Sequence, residues 1–439
     1  MAGGLGYSGG EGVVLPPLEL TYLAGRLKET GYEVKIVDAL AKNYSTSVAL
    51  EQINKYNPDW VVGNLALPTL EEDIEFYSQV KKSWKVAIKT GINYKEILTD
   101  VVKKTKADMV VFQEVDDRIE QYLFGQNRAG TVILKEGKVK FSPADKVIED
   151  LDKLPFPLRE LLDKKDYSYS LLRGHVASLQ TSRGCPFACG FYCPYPLVQG
   201  KMWRKMSPKR VLEEMKSIEK LGYDSVLFRD ATFTIDKNRT LEICRLFIKN
   251  KLKLKWWCET RINVLDSEIL QNLKDAGCLG INVGIETLDD ELIKTQGKPG
   301  VDMERVVEIR DKARQIGIKL HFLMLVGLMD ESWKTIGSSL KWLVKLNPES
   351  VGFSVITPYP GTQMFEVGVK EKLIKKFDWN NYRGNVGNMK SRKMEMWELE
   401  TARVVLMVSA MLMKKSGLVN SMTLKAVQVG VNVMAKIRN

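Results

Sequence analysis

The sequence predicts an α/β protein: an N-terminal doubly wound parallel sheet, then a partial barrel of six strand–helix units, then a mostly helical C-terminal tail. Three observations carry this. Helix-like and strand-like patterns alternate through the first 125 residues, the rhythm of a parallel sheet covered by helices. The alternation resumes between Ala177 and Thr362 with six apolar, β-branched runs. Beyond residue 366 the chain is basic and carries helix patterns only.

The elements follow in order. Residues 1–129 form the first domain. Leu18 to Thr30 is an amphipathic helix closed by Gly31, and Val48 to Lys55 and Leu70 to Lys81 are further helices. Glu33 to Val37, Trp60 to Val62, Val86 to Ile88 and Met109 to Phe112 read as strands. No strand-like run precedes the stretch Gly3 to Gly12, so the usual first strand is expected to be missing or truncated. Residues 130–170 read as a connector. In it Thr131 to Leu134 and Lys138 to Phe141 flank Glu136-Gly137, a hairpin signal. Leu154-Pro155-Phe156-Pro157 then marks an irregular linker.

The barrel occupies 171–365. Its strands are Ala177 to Gln180, Ser225 to Phe228, Lys255 to Glu259, Gly280 to Ile285, Leu320 to Val326 and Ser350 to Thr357. Amphipathic helices such as Pro208 to Leu221 and Asp302 to Ile316 lie between them. In both kinds of sheet, ligands gather at the carboxyl ends of the strands.

The 439 residues suffice for two or three domains with their own cores. A content of 44% hydrophobic and 27% charged residues is that of an ordinary globular chain. No signal-peptide pattern follows Met1, and no apolar run reaches membrane-spanning length. Net charge is +12. Lys370 to Asn439 holds fourteen Lys and Arg against five Asp and Glu, so the tail carries +9 of it. No nucleic-acid module accompanies this charge, and no nucleic-acid partner is expected. Ala402 to Met413 is apolar but too short to span a bilayer, and Lys414 and Lys415 follow it. It reads as a helix docked on the catalytic domain, with peripheral membrane contact through the basic tail as the other reading.

Chemistry concentrates in one loop. Cys185, Cys189 and Cys193 fall within nine residues, in Arg183-Gly184-CPFACGFYCPYP, directly after the first barrel strand. Interleaved Gly184, Pro186, Gly190 and Pro194 do not suit a buried strand or helix, so these are not cysteines serving as small hydrophobes. Soft thiolates select iron–sulfur or zinc. A closed zinc site needs a fourth Cys or His nearby, and the nearest histidine is His175. The loop therefore reads as a three-thiolate holder of a [4Fe–4S] cluster with one iron left open. Cys244, Cys258 and Cys278 are widely spaced in apolar surroundings and read as core. Clustered free thiols fit a reducing cytoplasm.

These residues resemble the radical S-adenosylmethionine (SAM) enzymes that carry an N-terminal cobalamin-binding, Rossmann-like domain. The resemblance rests on TSRGCP entering the loop (Thr181 to Pro186), FRDATF after the second barrel strand (Phe228 to Phe233) and GIET after the fourth (Gly284 to Thr287). Val326-Gly327-Leu328 after the fifth and TPYPGT after the sixth (Thr357 to Thr362) complete it. It covers nearly the whole chain, the tail least. The family's usual spacing is C-x3-C-x2-C, whereas this chain reads C-x3-C-x3-C, with Gly190 able to absorb the extra residue.

The resemblance implies an anaerobic enzyme. Its open iron would chelate SAM, and reductive cleavage would give methionine and a 5′-deoxyadenosyl radical. It implies Tyr192, Asp230, Arg261, Glu286 and Gly327 as SAM-side residues. It implies Leu15, Asp38, Asn64, Thr69, Gly91 and Glu114 as positions of the cobalamin-domain loops. The expected reaction is cobalamin-dependent C-methylation of an unactivated carbon. A rearrangement or cyclisation without methyl transfer is the alternative, and a non-catalytic iron–sulfur or cobalamin sensor the reading from another class. The expected partners are a small-molecule, lipid or peptide substrate and an electron donor such as flavodoxin or ferredoxin. No D-x-H-x-x-G cobalt-ligand motif exists, since the only histidines are His175 and His321.

Overall fold

Two parallel sheets organise the chain, each covered by helices on the faces its side chains dictate. The computed structural model describes residues 13–80, 83–145, 147–187, 189–295, 298, 301–374, 377–379, 382, 384, 386–414 and 427–436. The expectations about Gly3 to Gly12 and Lys415 lie outside these residues.

The first sheet is built from β1 (Trp60–Leu65), β2 (Lys85–Thr90), β3 (Met109–Val111), β4 (Thr131–Lys135) and β5 (Lys138–Ser142), paired in that order. β1, β2 and β3 run parallel. Alternation along β2 and β3 explains the two-sided wrapping. Val86, Ile88 and Val110 face Tyr77, Ile97, Leu98 and Val101 on one side. Ala87, Met109 and Val111 face Leu23, Leu27, Ile119 and Tyr122 on the other. The hairpin assigned to the connector belongs to this sheet: β4 pairs antiparallel with β3 and with β5. Glu136 and Gly137 both take positive φ, +51° and +72°, as a tight two-residue hairpin turn requires. Pairing with β4 satisfies a β3 edge that would otherwise be open.

Glu33 to Val37 does not form the expected strand. The segment carries no ladder, and Val34, like Trp60 and Val62, packs against the cluster of Leu23, Leu27, Ile119 and Tyr122. Its β-branched pattern serves to half-bury a residue against that cluster, not to extend the sheet.

In the second domain β6 (Val176–Leu179) leads into a short antiparallel pair, β7 (Ser182–Arg183) with β8 (Arg204–Lys205). The remaining strands are β9 (Ser225–Phe228), β10 (Lys255–Arg261), β11 (Cys278–Glu286), β12 (Lys319–Val326) and β13 (Ser350–Val355). The sheet order is β6-β9-β10-β11-β12-β13, parallel throughout. Among the described residues β13 and β6 do not pair, so the barrel stays open, as the expected partial (β/α)6 form does. Outward residues such as Trp256, Ile281, Val283 and Phe322 pack against Met215, Ile243, Phe247, Leu273 and Leu340 of the helices.

Local chemistry sets the helix ends. Helix Pro208–Lys220 starts on Ser207, whose hydroxyl accepts from the Arg210 amide, with Pro208 in the first turn. Helix Met303–Ile316 starts on Asp302 and stops at Gly317 in the left-handed conformation. The tail docks as expected: helix Met396–Lys414 buries Leu399, Ala402, Leu406 and Ala410 against the barrel core. Among the described residues no helix is long and apolar enough to cross a membrane.

Candidate active site

The cysteine loop is held at its root by four tethers. Asp230, fully buried after β9, accepts from the Thr181 amide (2.6 Å), the Thr181 hydroxyl (2.6 Å) and the Ser182 hydroxyl (2.9 Å). Burial pushes its carboxyl above the usual aspartate value despite Arg239 nearby. The Arg183 guanidinium, one residue before Gly184, pairs with Asp116 of the first domain at 2.8 Å. Glu114, just past β3, takes both Arg204 nitrogens at 2.6 and 2.9 Å. Burial works to raise Glu114, yet Arg204 and Arg183 together hold it below the carboxylate range. Finally Gly184, at φ +81°, lies so close to Met202 that a Cβ would overlap its carbonyl oxygen. The Cys185 amide donates to the Gly200 carbonyl at 3.1 Å. The first domain thus fixes where the loop starts.

The extra residue in the spacing has a structural expression. The Cys193 amide donates to the Cys189 carbonyl at 3.0 Å, an i to i+4 bond that makes one helical turn. Residues four apart on such a turn project from one face. The insertion therefore keeps Cys189 and Cys193 on a common side.

Around the cysteines the structure gathers Tyr192, Arg261, Glu286 and Lys298. Arg261 closes β10 and donates from Nη1 to Cys189 Sγ at 2.8 Å, while its plane lies 4.2 Å from the Phe187 ring centre. Glu286 ends β11 at φ +73°, where the ladder with β12 shifts register between Gly284 and Glu286. A non-glycine residue in that region is strained, a feature that clusters at functional sites. Its carboxylate pairs with Lys298 Nζ at 2.7 Å. Burial opposes the Lys298 charge, but Glu286 and Cys189 together keep the ammonium above its ordinary value. Burial also pushes the Tyr192 phenol up, and Glu286 adds to this. The Tyr192 hydroxyl is buried without a hydrogen-bond partner among the described residues. Leu292, Leu328, Met329, Ile356 and Met364 pack around the loop as an apolar shell.

Burial raises the Cys185 thiol and pushes Cys193 up to about 12, and the charge of Cys189 adds to both. Three mutually repelling thiolates in such a setting need a cationic centre. Among the described residues no three His, Cys, Asp or Glu side chains converge on a single metal ion. A cubane asks for something else, since each iron takes one thiolate. Three thiolates, an orphaned phenol and a carboxylate–lysine pair within one apolar shell fit a [4Fe–4S] cluster with SAM.

A cleft with about 800 Å³ of empty space, open solvent included, lies between the domains. On one side are the carboxyl ends of β1 and β2, with Leu65, Ala66, Leu67, Thr90 and Gly91; on the other are Pro194, Leu197, Tyr359 and Gly361. Pro194 directly follows Cys193, so the cleft abuts the loop. Asn64, just before Leu65, keeps its Oδ1 buried without a partner among the described residues. Asp73 accepts from the Ala66 amide (3.1 Å) and the Thr69 hydroxyl (2.8 Å), fixing the β1 end.

Several expected residues stand elsewhere. Leu15 packs with Tyr169 and Trp257. Asp38 accepts from the Tyr167 hydroxyl at 2.8 Å. Glu114 is consumed by Arg204, and Asp230 serves the loop root. Gly327, at φ +104°, allows close approach of Ile356 and Leu399. Cys244, Cys258 and Cys278 lie buried in the barrel core. Sequence reasoning missed Lys298, Arg183, Arg204 and Asp116. A lysine framed by Gly297 and Pro299 was a readable signal; the interdomain partners had none.

The sequence model described as the radical SAM superfamily matches residues 179–343, from the end of β6 through the cysteine loop to the helix after β12. Residues 179–343 thus match a radical SAM domain. Among proteins similar to this chain, an uncharacterised methyltransferase of Pyrococcus horikoshii is 28% identical over 384 residues, 84% of this chain and 82% of its own. An anaerobic magnesium-protoporphyrin IX monomethyl ester cyclase of Rubrivivax gelatinosus is 28% identical over 414 residues, 88% and 71% of the two chains. The solved structure of OxsB, a cobalamin-dependent SAM radical enzyme with aqua-cobalamin and SAM bound, superposes with a TM-score of 0.72. It covers 96% of this chain and 69% of that one at 15% identity, a likeness of fold.

Proposed function

We propose that this radical SAM enzyme methylates an unactivated carbon, using a corrinoid seated in the interdomain cleft as methyl carrier. The observation that carries the reading is the cleft's position: the β1 and β2 ends form one wall, and residues adjoining Cys193 form the other. When bound, a [4Fe–4S] cluster would supply the electron that opens the SAM sulfonium, and a corrinoid would supply a methyl-carrying cobalt.

The chain's own residues do the rest. Cys185, Cys189 and Cys193 are the cluster ligands. Glu286 and Lys298 offer a carboxylate and an ammonium to the amino and carboxylate groups of SAM, Arg261 orients the Cys189 sulfur, and Tyr192 faces the nucleoside. Gly327 shapes the approach, and Asp230 acts as a positioning residue for the loop. Leu328, Met329, Ile356 and Met364 exclude water from a reactive radical. In the cleft Gly91, Asn64 and Thr69 line or frame the corrinoid wall, while Leu15, Asp38 and Glu114 hold the domains together. Neither His175 nor His321 is among the residues lining the cleft. A flavodoxin or ferredoxin supplies electrons, the substrate is a small molecule, lipid or peptide, and the cytoplasm is the compartment, with contact at a lipid surface.

Oxidative ring formation without methyl transfer is the second reading, favoured by the cyclase relative. Anaerobic reconstitution with iron and sulfide, then SAM, dithionite and hydroxocobalamin, tests both. The expected result is about four irons per chain, 5′-deoxyadenosine, retained corrinoid by its visible spectrum, and S-adenosylhomocysteine. Deoxyadenosine without S-adenosylhomocysteine supports the second reading. Cluster without deoxyadenosine overturns both in favour of a sensor.

A further inference from the structure

Helix Met396–Lys414 is apolar on two opposite sides. One side is the core contact already described. The other leaves Trp397, Val404, Val408 and Met411 exposed, at 55%, 44%, 42% and 59%. Their spacing draws one stripe along a helix. A surface helix ordinarily turns charge to solvent, yet between residues 401 and 413 the only charged residue is Arg403. The apolar face continues onto neighbours. Val344 on helix Trp333–Leu346 is exposed, as are Val429 and Val433 on the helical segment 427–436. That segment seats Gln428 and Val431 against Gly337 of the middle helix. A cluster of exposed large apolar side chains on three adjacent helices marks a contact surface, not scattered exposure.

Charge identifies what covers it. Lys334, Lys341, Lys345 and Lys436 are exposed on the same helices, and Lys345 Nζ stands 4.4 Å from the Trp342 ring centre. The tail's net +9 would set two copies against each other, whereas an anionic lipid surface supplies the opposite sign. The stripe from Trp397 to Met411 is about 21 Å long. The helix is too polar to cross a bilayer and suited to lie in its interface.

We propose that this three-helix face docks the enzyme on an anionic bilayer, with Trp397, Val404, Val408 and Met411 entering the headgroup boundary and the lysines meeting lipid phosphates. This deepens the lipid-surface contact named above and is independent of the radical chemistry, so either can fail alone.

The test is sedimentation of the full chain with vesicles of phosphatidylcholine alone or mixed with phosphatidylglycerol. The wild type is expected to bind the mixed vesicles, weakening with salt. The V408D/M411D variant should bind about tenfold or more weakly, with unchanged circular dichroism, as befits exposed positions. Lys341→Glu should weaken binding without touching the stripe. Absence of binding to mixed vesicles overturns the proposal. So does undiminished binding by V408D/M411D, which would assign the contact to tail charge alone. A dimer in light scattering that V408D/M411D dissociates, without vesicle binding, would assign the face to a second copy and overturn it as well.

Discussion

Replacing Gly184 by alanine measures how tightly the loop root is specified. Gly184 sits at φ +81°, and an added Cβ would overlap the Met202 carbonyl oxygen, 2.9 Å from its carbon and 3.2 Å from the Gly200 oxygen. Those atoms are backbone and cannot swing aside. The left-handed conformation costs an alanine about 1–2 kcal/mol, and forced displacement in a packed setting adds about 1–3 kcal/mol. Gly31 is an internal control: φ is +92° with nothing within 4 Å, so Gly31→Ala carries only the conformational part. Both variants should be reconstituted anaerobically and compared by iron content and thermal unfolding. Gly184→Ala should melt below Gly31→Ala and bind less iron, because Cys185 is the next residue and its amide depends on the Gly200 carbonyl. Equal melting and equal iron in the two variants would refute the claim that this contact sets the loop.

Three further outcomes are expected. Glu331 is 1% exposed, and burial raises its carboxyl to about 7 from 4.5. A carboxyl raised on folding loses stability as pH climbs from about 4.5 through about 7, by about 3 kcal/mol in all. Denaturant melts against pH should show that slope in the wild type and not in Glu331→Gln, which keeps an acceptor for the Gly327 amide. Glu114→Ala leaves Arg204 buried without its carboxylate and should cost about 3–5 kcal/mol, read by denaturant unfolding together with iron retention. Ala66→Trp fills the cleft beside Pro68 and Ile92. It should abolish corrinoid retention, while uncoupled SAM cleavage to 5′-deoxyadenosine survives; loss of both would unseat the cleft as a separate site.

Much of the barrel is legible in one dimension because its strands are apolar runs bounded by capped helices. Ser225–Phe228 was readable to the residue, since Tyr223-Asp224 before it and Arg229-Asp230 after it are polar on both flanks. Glu33 to Val37 misled because a β-branched run signals a half-buried surface, and packing Val34 against the Leu23 and Ile119 cluster satisfies that preference without a ladder. The hairpin was legible as a hairpin, but nothing in Thr131 to Phe141 says which sheet it joins. The cysteine trio was legible from density and flanking glycine and proline alone. Tyr192 was reachable as the aromatic beside the third cysteine, and Arg261 and Glu286 as polar residues at strand ends. Asp230 was reachable as a residue but not as a tether, because its partners Thr181 and Ser182 are some fifty residues away.

By itself the sequence determined the α/β class, the three-thiolate loop and the order of strand-end motifs, since each depends on residues close together in the chain. Only the tertiary structure decided that Lys298 meets Glu286, that Asp116 and Glu114 reach across to Arg183 and Arg204, and that an apolar stripe on the tail lies exposed among the described residues. Such pairings depend on where distant elements come to rest. A buried charge must find its counterion wherever the fold delivers one, and no local pattern records that address.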